Sequence, residues 1–316
     1  MKTILFRFIS LLCFVCSFVS CESEDEWLLT NQLPREVAKD LELRFGSVES
    51  LEDFTFGQTS PNLTCVGFTD QQLNQVSVYY VDHQWSLTIT ETRDFDRLPG
   101  DVKKNFLHSS YGEMSLKNMR SVKCIERKEL SHVLYDFQFT YPLGESEAMF
   151  HELLMDENGR ELAVSNTGFS PACMFSALNP KQLAYIRNHY PQADILCFMN
   201  NLGVDCFKIL DEEILKTVAF NPLYDGWLHT TYLLPETADL PVAVVEQLDR
   251  TVPNFQYSKV YLSETPGDTF YTFIDATSVY LNAWTFSENG KYDNTFASNT
   301  KNNKEFGMSL YVPMFK

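Results

Sequence analysis

Leu33-Pro34-Arg35-Glu36-Val37-Ala38-Lys39-Asp40-Leu41-Glu42-Leu43-Arg44-Phe45 is the stretch from which the fold can be read. Proline is favoured in the first turn of a helix, where its missing N–H costs nothing. Val37, Leu41 and Phe45 then recur at four-residue steps, which draws one apolar stripe down a helix. Arg35, Glu36, Lys39, Asp40 and Glu42 fall between them and should face water. Gly46 follows as a breaker. A helix of about 12 residues is marginal alone, so the stripe must pack on something.

The same opening returns three times. Leu98-Pro99 precedes Val102, Phe106 and Tyr111; Leu178-Asn179-Pro180 precedes Leu183, Ile186 and Tyr190; Leu240-Pro241 precedes Val244, Leu248 and Val252. The prolines lie 65, 81 and 61 residues apart, and breakers follow at Gly112, Pro191 and Pro253. A period of this size is the mark of a repeated supersecondary unit.

Each helical stretch leads into β-rich sequence. In the first, Gln75–Asp82 and Gln84–Thr90 flank a tight turn at Asp82-His83, and Trp85, Leu87 and Ile89 alternate with polar residues. In the second, Val133–Thr140 and Phe150–Met155 are followed by Asp156-Glu157-Asn158-Gly159 and Arg160–Val164; Asn-Gly between apolar runs is a strong hairpin signal. In the third, Ile195–Met199 and Cys206–Leu210 precede a pair closed by Tyr224-Asp225-Gly226, which leads into Trp227–Leu233. In the fourth, Lys259–Ser263, Thr269–Asp275 and Ser278–Phe286 lead to Glu288-Asn289-Gly290.

The reading is therefore α+β: tandem repeats of one helix packed on a three- to four-stranded antiparallel meander sheet. Burying three or four stripe residues per helix is worth roughly 6–10 kcal/mol before entropy, too little for an isolated unit of this size. The units should pack as two pairs, residues 33–170 and 178–300, with a hinge between Asn166 and Ala177. The resulting division is a signal peptide over 1–20, an acidic linker over 21–32, repeats over 33–95, 96–170, 178–236 and 238–297, and a C-terminal tail over 298–316.

The pattern Leu-Pro-x-x-Val-x-x-x-Leu-x-x-x-Phe, followed by strand, tight turn and strand, resembles the PepSY-like repeats, also described as β-lactamase-inhibitor-protein-like and abundant in secreted Bacteroidetes proteins. The likeness covers nearly the whole chain after the leader as four copies, and the third departs from it by its inserted Asn179. The resemblance implies a helix on a curved antiparallel sheet and a role in binding or inhibiting a protein or peptide. It brings no catalytic residue to carry over.

Composition sets the address. Lys2 and Arg7 precede an apolar run from Phe8 to Val19, the order of a secretory signal and too short for an anchor. Phe18-Val19-Ser20-Cys21 resembles a lipobox with Phe18 in place of the usual Leu, and Glu22, Ser23, Glu24 and Asp25 follow. Cys21 is thus the candidate lipidation site, with ordinary signal-peptidase cleavage near Ser20 or Cys21 as the alternative. The expected location is the periplasm or the outer-membrane surface, otherwise the medium, with membrane contact only through the N-terminal lipid. The net charge of −17 becomes −19 when Lys2 and Arg7 leave. Such an acidic chain is a poor partner for nucleic acid or anionic lipid.

No catalytic signature is present. His83, His108, His132, His151, His189 and His229 form no HExxH or Cys/His cluster. Cys65, Cys124, Cys173, Cys197 and Cys206 contain no CxxC pair, so zinc is not expected and no disulfide pattern follows. No cofactor is called for. Asp211-Glu212-Glu213 reads as a solvated helix start or loop in preference to a cation site. The remaining site signal is aromatic. Tyr280, Trp284 and Phe286 share one face of the last strand, with Tyr271 and Phe273 on its neighbour. If the helix covers the face of Val279, Leu281 and Ala283, these aromatics would form an open partner-binding surface. The competing readings are a hydrolase with an active site between the two repeat pairs, and a purely structural envelope subunit.

Overall fold

The computed structural model describes residues 33–47, 51–60, 62–109, 111–112, 116–142, 148–165, 179–201, 204–223, 226–275 and 282–292. Cys21, Cys173, Tyr280, the expected hinge at 166–177 and the tail at 298–316 lie outside these residues.

The protein is α+β and its sheets are antiparallel. Helix α1 (Arg35–Phe45) leads into strands β1 (Glu52–Ser60), β2 (Leu63–Thr69), β3 (Gln75–Val81) and β4 (Gln84–Thr92). A short 3₁₀ turn (Phe95–Arg97) leads into α2 (Gly100–His108), β5 (Met119–Arg127), β6 (Leu134–Pro142), β7 (Ala148–Asp156) and β8 (Glu161–Ser165). The second half runs α3 (Pro180–His189), β9 (Asp194–Asn201), β10 (Val204–Asp211), β11 (Ile214–Asn221) and β12 (Gly226–Leu233). It ends with α4 (Val242–Thr251), β13 (Lys259–Glu264), β14 (Thr269–Asp275) and β15 (Asn282–Ser287). β1 to β8 pair in chain order as one eight-stranded meander, and β9 to β15 as a seven-stranded one.

The proline openings do start helices, but not all by the same means. Pro34, Pro99 and Pro241 take the N-cap position in extended conformation. Their carbonyls accept the N–H of Ala38, Lys103 and Val245. In α3 the extra Asn179 is the N-cap, its side chain accepts the N–H of Lys181 at 3.0 Å, and Pro180 is the first helical residue. The predicted stripes are buried at Val37 and Leu41, Val102 and Phe106, Ile186, and Val244 and Leu248.

α1 packs over Val66, Val78 and Tyr80, and α2 over Val122, Phe137 and Leu153, all on one face of the first sheet. The alternate residues Ile125, Leu134 and Leu154 point the other way and enter a core shared with Leu196, Cys197 and Cys206 of the second sheet. The second sheet carries α3 and α4 on its far face, where Phe207 and Phe220 meet Ile186 and Phe273 and Phe286 meet Leu248. The two sheets thus join in the middle of the molecule, helices outward.

Candidate functional site

The aromatic set chosen from sequence is the covered face of its sheet. Phe273 and Phe286 have no exposed surface, Tyr271 is buried, and all three share a core with Val244 and Leu248 of α4. Trp284 is half-buried beside this core, its ring 5.6 Å from that of Tyr292. α4 therefore covers the opposite face of β15 from the one expected. The alternation of β15 defined two faces, but Ala283 and Thr285 are buried too, so apolarity did not tell which one the helix takes.

The other ionisable candidates are dispersed or sealed. His83, His132 and His189 sit in a turn, a loop and a helix end, and His151 is stacked on Phe139 within the α2 core. Among the described residues no three of His, Cys, Asp and Glu converge as a metal site. Glu212 and Glu213 form a two-residue turn with positive φ, Asp211 pairs with Lys216 at 2.7 Å, and Glu213 pairs with Arg160 at 3.2 Å. Cys65, Cys124, Cys197 and Cys206 are free thiols.

Between the sheets lies a buried polar group. Lys208 is paired across strands with Cys197 and Thr217, and its amine donates to Thr217 Oγ1 at 2.6 Å. His229 Nδ1 lies 3.0 Å from Thr231 Oγ1, which in turn bonds Ser263 Oγ at 2.8 Å. Burial pushes the Cys197 thiol up to about 12 against the pull of Lys208 and Arg127. Burial also pushes His229 down to about 4, and the charge of Lys208 adds to this. A thiol held protonated and an imidazole held neutral inside a packed interface have no route to substrate.

One accessible feature among the described residues is a cleft of about 240 Å³ between α1 and the β3–β4 turn. Glu36, Lys39, Asp40 and Leu43 line one wall; their spacing of three and four puts them on one side of the helix. His83, Gln84 and Trp85 form the other. A β-bulge sets the ring. Tyr79 pairs with Leu87 but Tyr80 pairs with Trp85, so one residue, Ser86, is extra. Trp85 is thereby turned onto the α1 side, opposite to Leu87. Its indole N–H donates to Thr88 Oγ1 at 2.9 Å, and the guanidinium carbon of Arg44 lies 3.9 Å from the ring centroid. Asp40 Oδ2 accepts from Arg44 Nε at 2.8 Å and from the Tyr80 hydroxyl at 3.0 Å. Burial first, and the bond to Asp40 second, raise the Tyr80 phenol far above its usual range.

The turns facing the helices differ in length. The turns after β7 and β15 both read Glu-Asn-Gly and reach their helices: a Cβ on Gly159 would lie 2.1 Å from Asn105, and one on Gly290 2.6 Å from the Ala243 carbonyl. The β3–β4 turn is shorter, with only Asp82 and His83, both with positive φ.

No family model matches the chain, and no curated protein matches it. Solved structures resemble about half of it. A DUF2874 family protein from Bacteroides ovatus ATCC 8483 is 17% identical with a TM-score of 0.35, covering 46% of this chain and 94% of that one. A BLIP-like protein from Bacteroides fragilis NCTC 9343 is 15% identical with a TM-score of 0.36, covering 47% and 98%. A DUF2874 family protein from Bacteroides uniformis ATCC 8492 is 13% identical with a TM-score of 0.36, covering 46% and 97%. These likenesses are partial.

Proposed function

We propose that the chain is a non-enzymatic, exported PepSY-like repeat protein that binds a protein or peptide in the cell envelope. In this reading residues 33–95, 96–170, 178–236 and 238–297 are copies of one unit, and Cys21 carries the lipid. Support for copying comes from the shared helix openings and from the two Glu-Asn-Gly turns, which close with the same pattern of bonds: Gly159 N–H to Asp156 O and Gly290 N–H to Ser287 O.

The observation that carries the binding role is the cleft at Trp85. The half-buried Trp85, partly covered by Arg44, meets the largely exposed Leu43 and the charges of Glu36 and Lys39 there, whereas Lys208, His229 and Cys197 are enclosed. An aromatic anchor with a polar rim is what a peptide side chain meets at an interface.

The test is a peptide array probed with the intact mature chain, its Trp85→Leu variant and its Trp284→Ala variant. Bound spots should be lost with Trp85→Leu and kept with Trp284→Ala. An array on which Trp85→Leu matches the parent chain would remove the cleft from the reading. The lipid is tested separately: palmitate label should enter the parent chain and not Cys21→Ala.

A further inference from the structure

We propose that the α1 cleft recognises the guanidinium group of an arginine side chain presented by the partner. The proposal rests on the binding role argued above and names the chemistry of the ligand.

The chain's own Arg44, which is not itself a lining residue of the cleft, shows what the Trp85 ring and Asp40 can hold. Its guanidinium stacks 3.9 Å over the Trp85 ring and donates to Asp40 at 2.8 Å. A flat cation over an indole face, tied to a carboxylate, is the arrangement in which arginine gains most over lysine. Yet Arg44 is held weakly. Its side chain remains 35% exposed, and the pair with Asp40 is a one-turn helical contact. It bonds Asp40 through Oδ2, the oxygen that also takes the Tyr80 hydroxyl. Asp40 Oδ1 accepts no hydrogen bond among the described residues. Glu36 stands one turn earlier on the same wall without an ion pair among those residues.

An incoming guanidinium therefore finds a carboxylate oxygen able to accept and a second carboxylate on the same wall, and gains the aromatic face only in exchange for Arg44. It must displace Arg44, which can swing into solvent at little cost. The overall charge of −17 favours the approach of a basic segment. The cleft volume of about 240 Å³ suits one long side chain. Lys39 is the opposing charge on the rim and makes lysine-rich or doubly basic ligands less favoured at short range.

The experiment measures anisotropy of a fluorescein-labelled glycine-serine nonapeptide with one central arginine, and of its lysine and citrulline counterparts, with the intact chain at 150 mM salt. The arginine peptide should bind at least fivefold more tightly than either counterpart. Trp85→Leu should weaken it tenfold or more, and Trp85→Phe less. Arg44→Met, which vacates the ring, should tighten it at least threefold. Arg35→Met changes the net charge equally on the same helix and should tighten it by less than half of that factor. Equal effects of Arg44→Met and Arg35→Met, or equal affinity for arginine and citrulline, would overturn the proposal. If the arginine preference fails while array binding still depends on Trp85, the ligand chemistry is wrong and the binding role stands.

Discussion

Arg127 of β5 donates to the backbone carbonyl of Ile195 in β9 at 2.6 Å, and the same nitrogen reaches the Leu196 carbonyl at 2.8 Å. The contact falls where β9 carries an irregularity: Lys208 pairs with Cys197 but Ile209 pairs with Ile195, so Leu196 is extra. A bulge leaves backbone carbonyls outside the ladder, and Arg127, 2% exposed, satisfies them from the opposite sheet. Burial lowers the guanidinium to about 10, far enough above neutrality to keep it charged.

Arg127→Met should therefore cost more than an ordinary surface change. It strands two buried acceptors, for which a loss of about 2–4 kcal/mol is expected. Urea unfolding should show a lower midpoint, and the two halves should part before either sheet melts, giving a second transition. A single transition at the parent midpoint would mean that the sheets are held by apolar packing alone.

Gly290 and Gly159 offer a matched comparison. Both have φ near +80°, so alanine at either position strains the backbone by about 1–2 kcal/mol. At Gly290 the new methyl meets the Ala243 carbonyl, part of the α4 backbone, which cannot give way. At Gly159 it meets the side chain of Asn105, which can rotate away at the loss of its 2.8 Å bond to the Asn158 carbonyl. Gly290→Ala should lower the thermal midpoint more than Gly159→Ala, with α4 losing amide protection first in hydrogen exchange.

Much of this architecture was legible because helices repeat at three to four residues and strands at two. The four helices and the Asp82-His83 and Asn-Gly turns follow from that arithmetic, but the expected three- to four-stranded sheets do not: the strands run on as one eight-stranded and one seven-stranded meander, because an unpaired edge strand of one unit continues into the next. β1, β2 and β5 were not legible; Leu63–Thr69 is short and interrupted by Gly67. Glu52–Ser60 is polar and kinked at Asp53, with φ 52, while Met119–Arg127 mixes Lys123, Glu126 and Arg127 among apolar residues. Nothing local to Arg127 announces an opposing sheet. The Trp85 cleft was hidden for a related reason. Alternation put Trp85 with Leu87 and Ile89, and the bulge at Ser86, invisible in composition, put it on the other face.

Lys208 is fully enclosed, and burial lowers its amine below the usual lysine range. A base depressed by folding costs stability at neutral pH, and the cost disappears as pH rises through the folded value towards that of the unfolded chain, about 10.4. Stability should thus climb with alkalinity in that window. Lys208→Met keeps the length of the side chain, removes the charge, and should stabilise the protein by about 1–2 kcal/mol at pH 7. Chemical denaturation at pH 7 and 9.5 checks both points: the variant should start higher and lack the lysine's share of the rise.

His229 and Asp136 should pull in opposite directions on acidification, and separating them tests the buried polar layer as a whole. Burial holds His229 near 4 in the fold, against about 6.5 when unfolded. The unfolded chain therefore binds the extra proton between these values, and stability falls as pH drops from 6.5 towards 4. The loss is about 2 kcal/mol by pH 5. Its Nε2 has no hydrogen-bond partner among the described residues, so nothing waits to receive the new charge. Asp136 is the reverse case. Burial, and then the charge of Glu152, raise its carboxyl well above the ordinary range, against the weaker pull of Lys123 at 3.9 Å. Here the folded chain binds the extra proton, so stability rises as pH falls through the folded value. His229→Asn should flatten the loss between pH 6.5 and 5, and Asp136→Asn should steepen it by removing the compensating gain. Urea midpoints at pH 7, 6 and 5 distinguish the outcomes. Parallel curves for the two variants would mean that neither group titrates inside the fold.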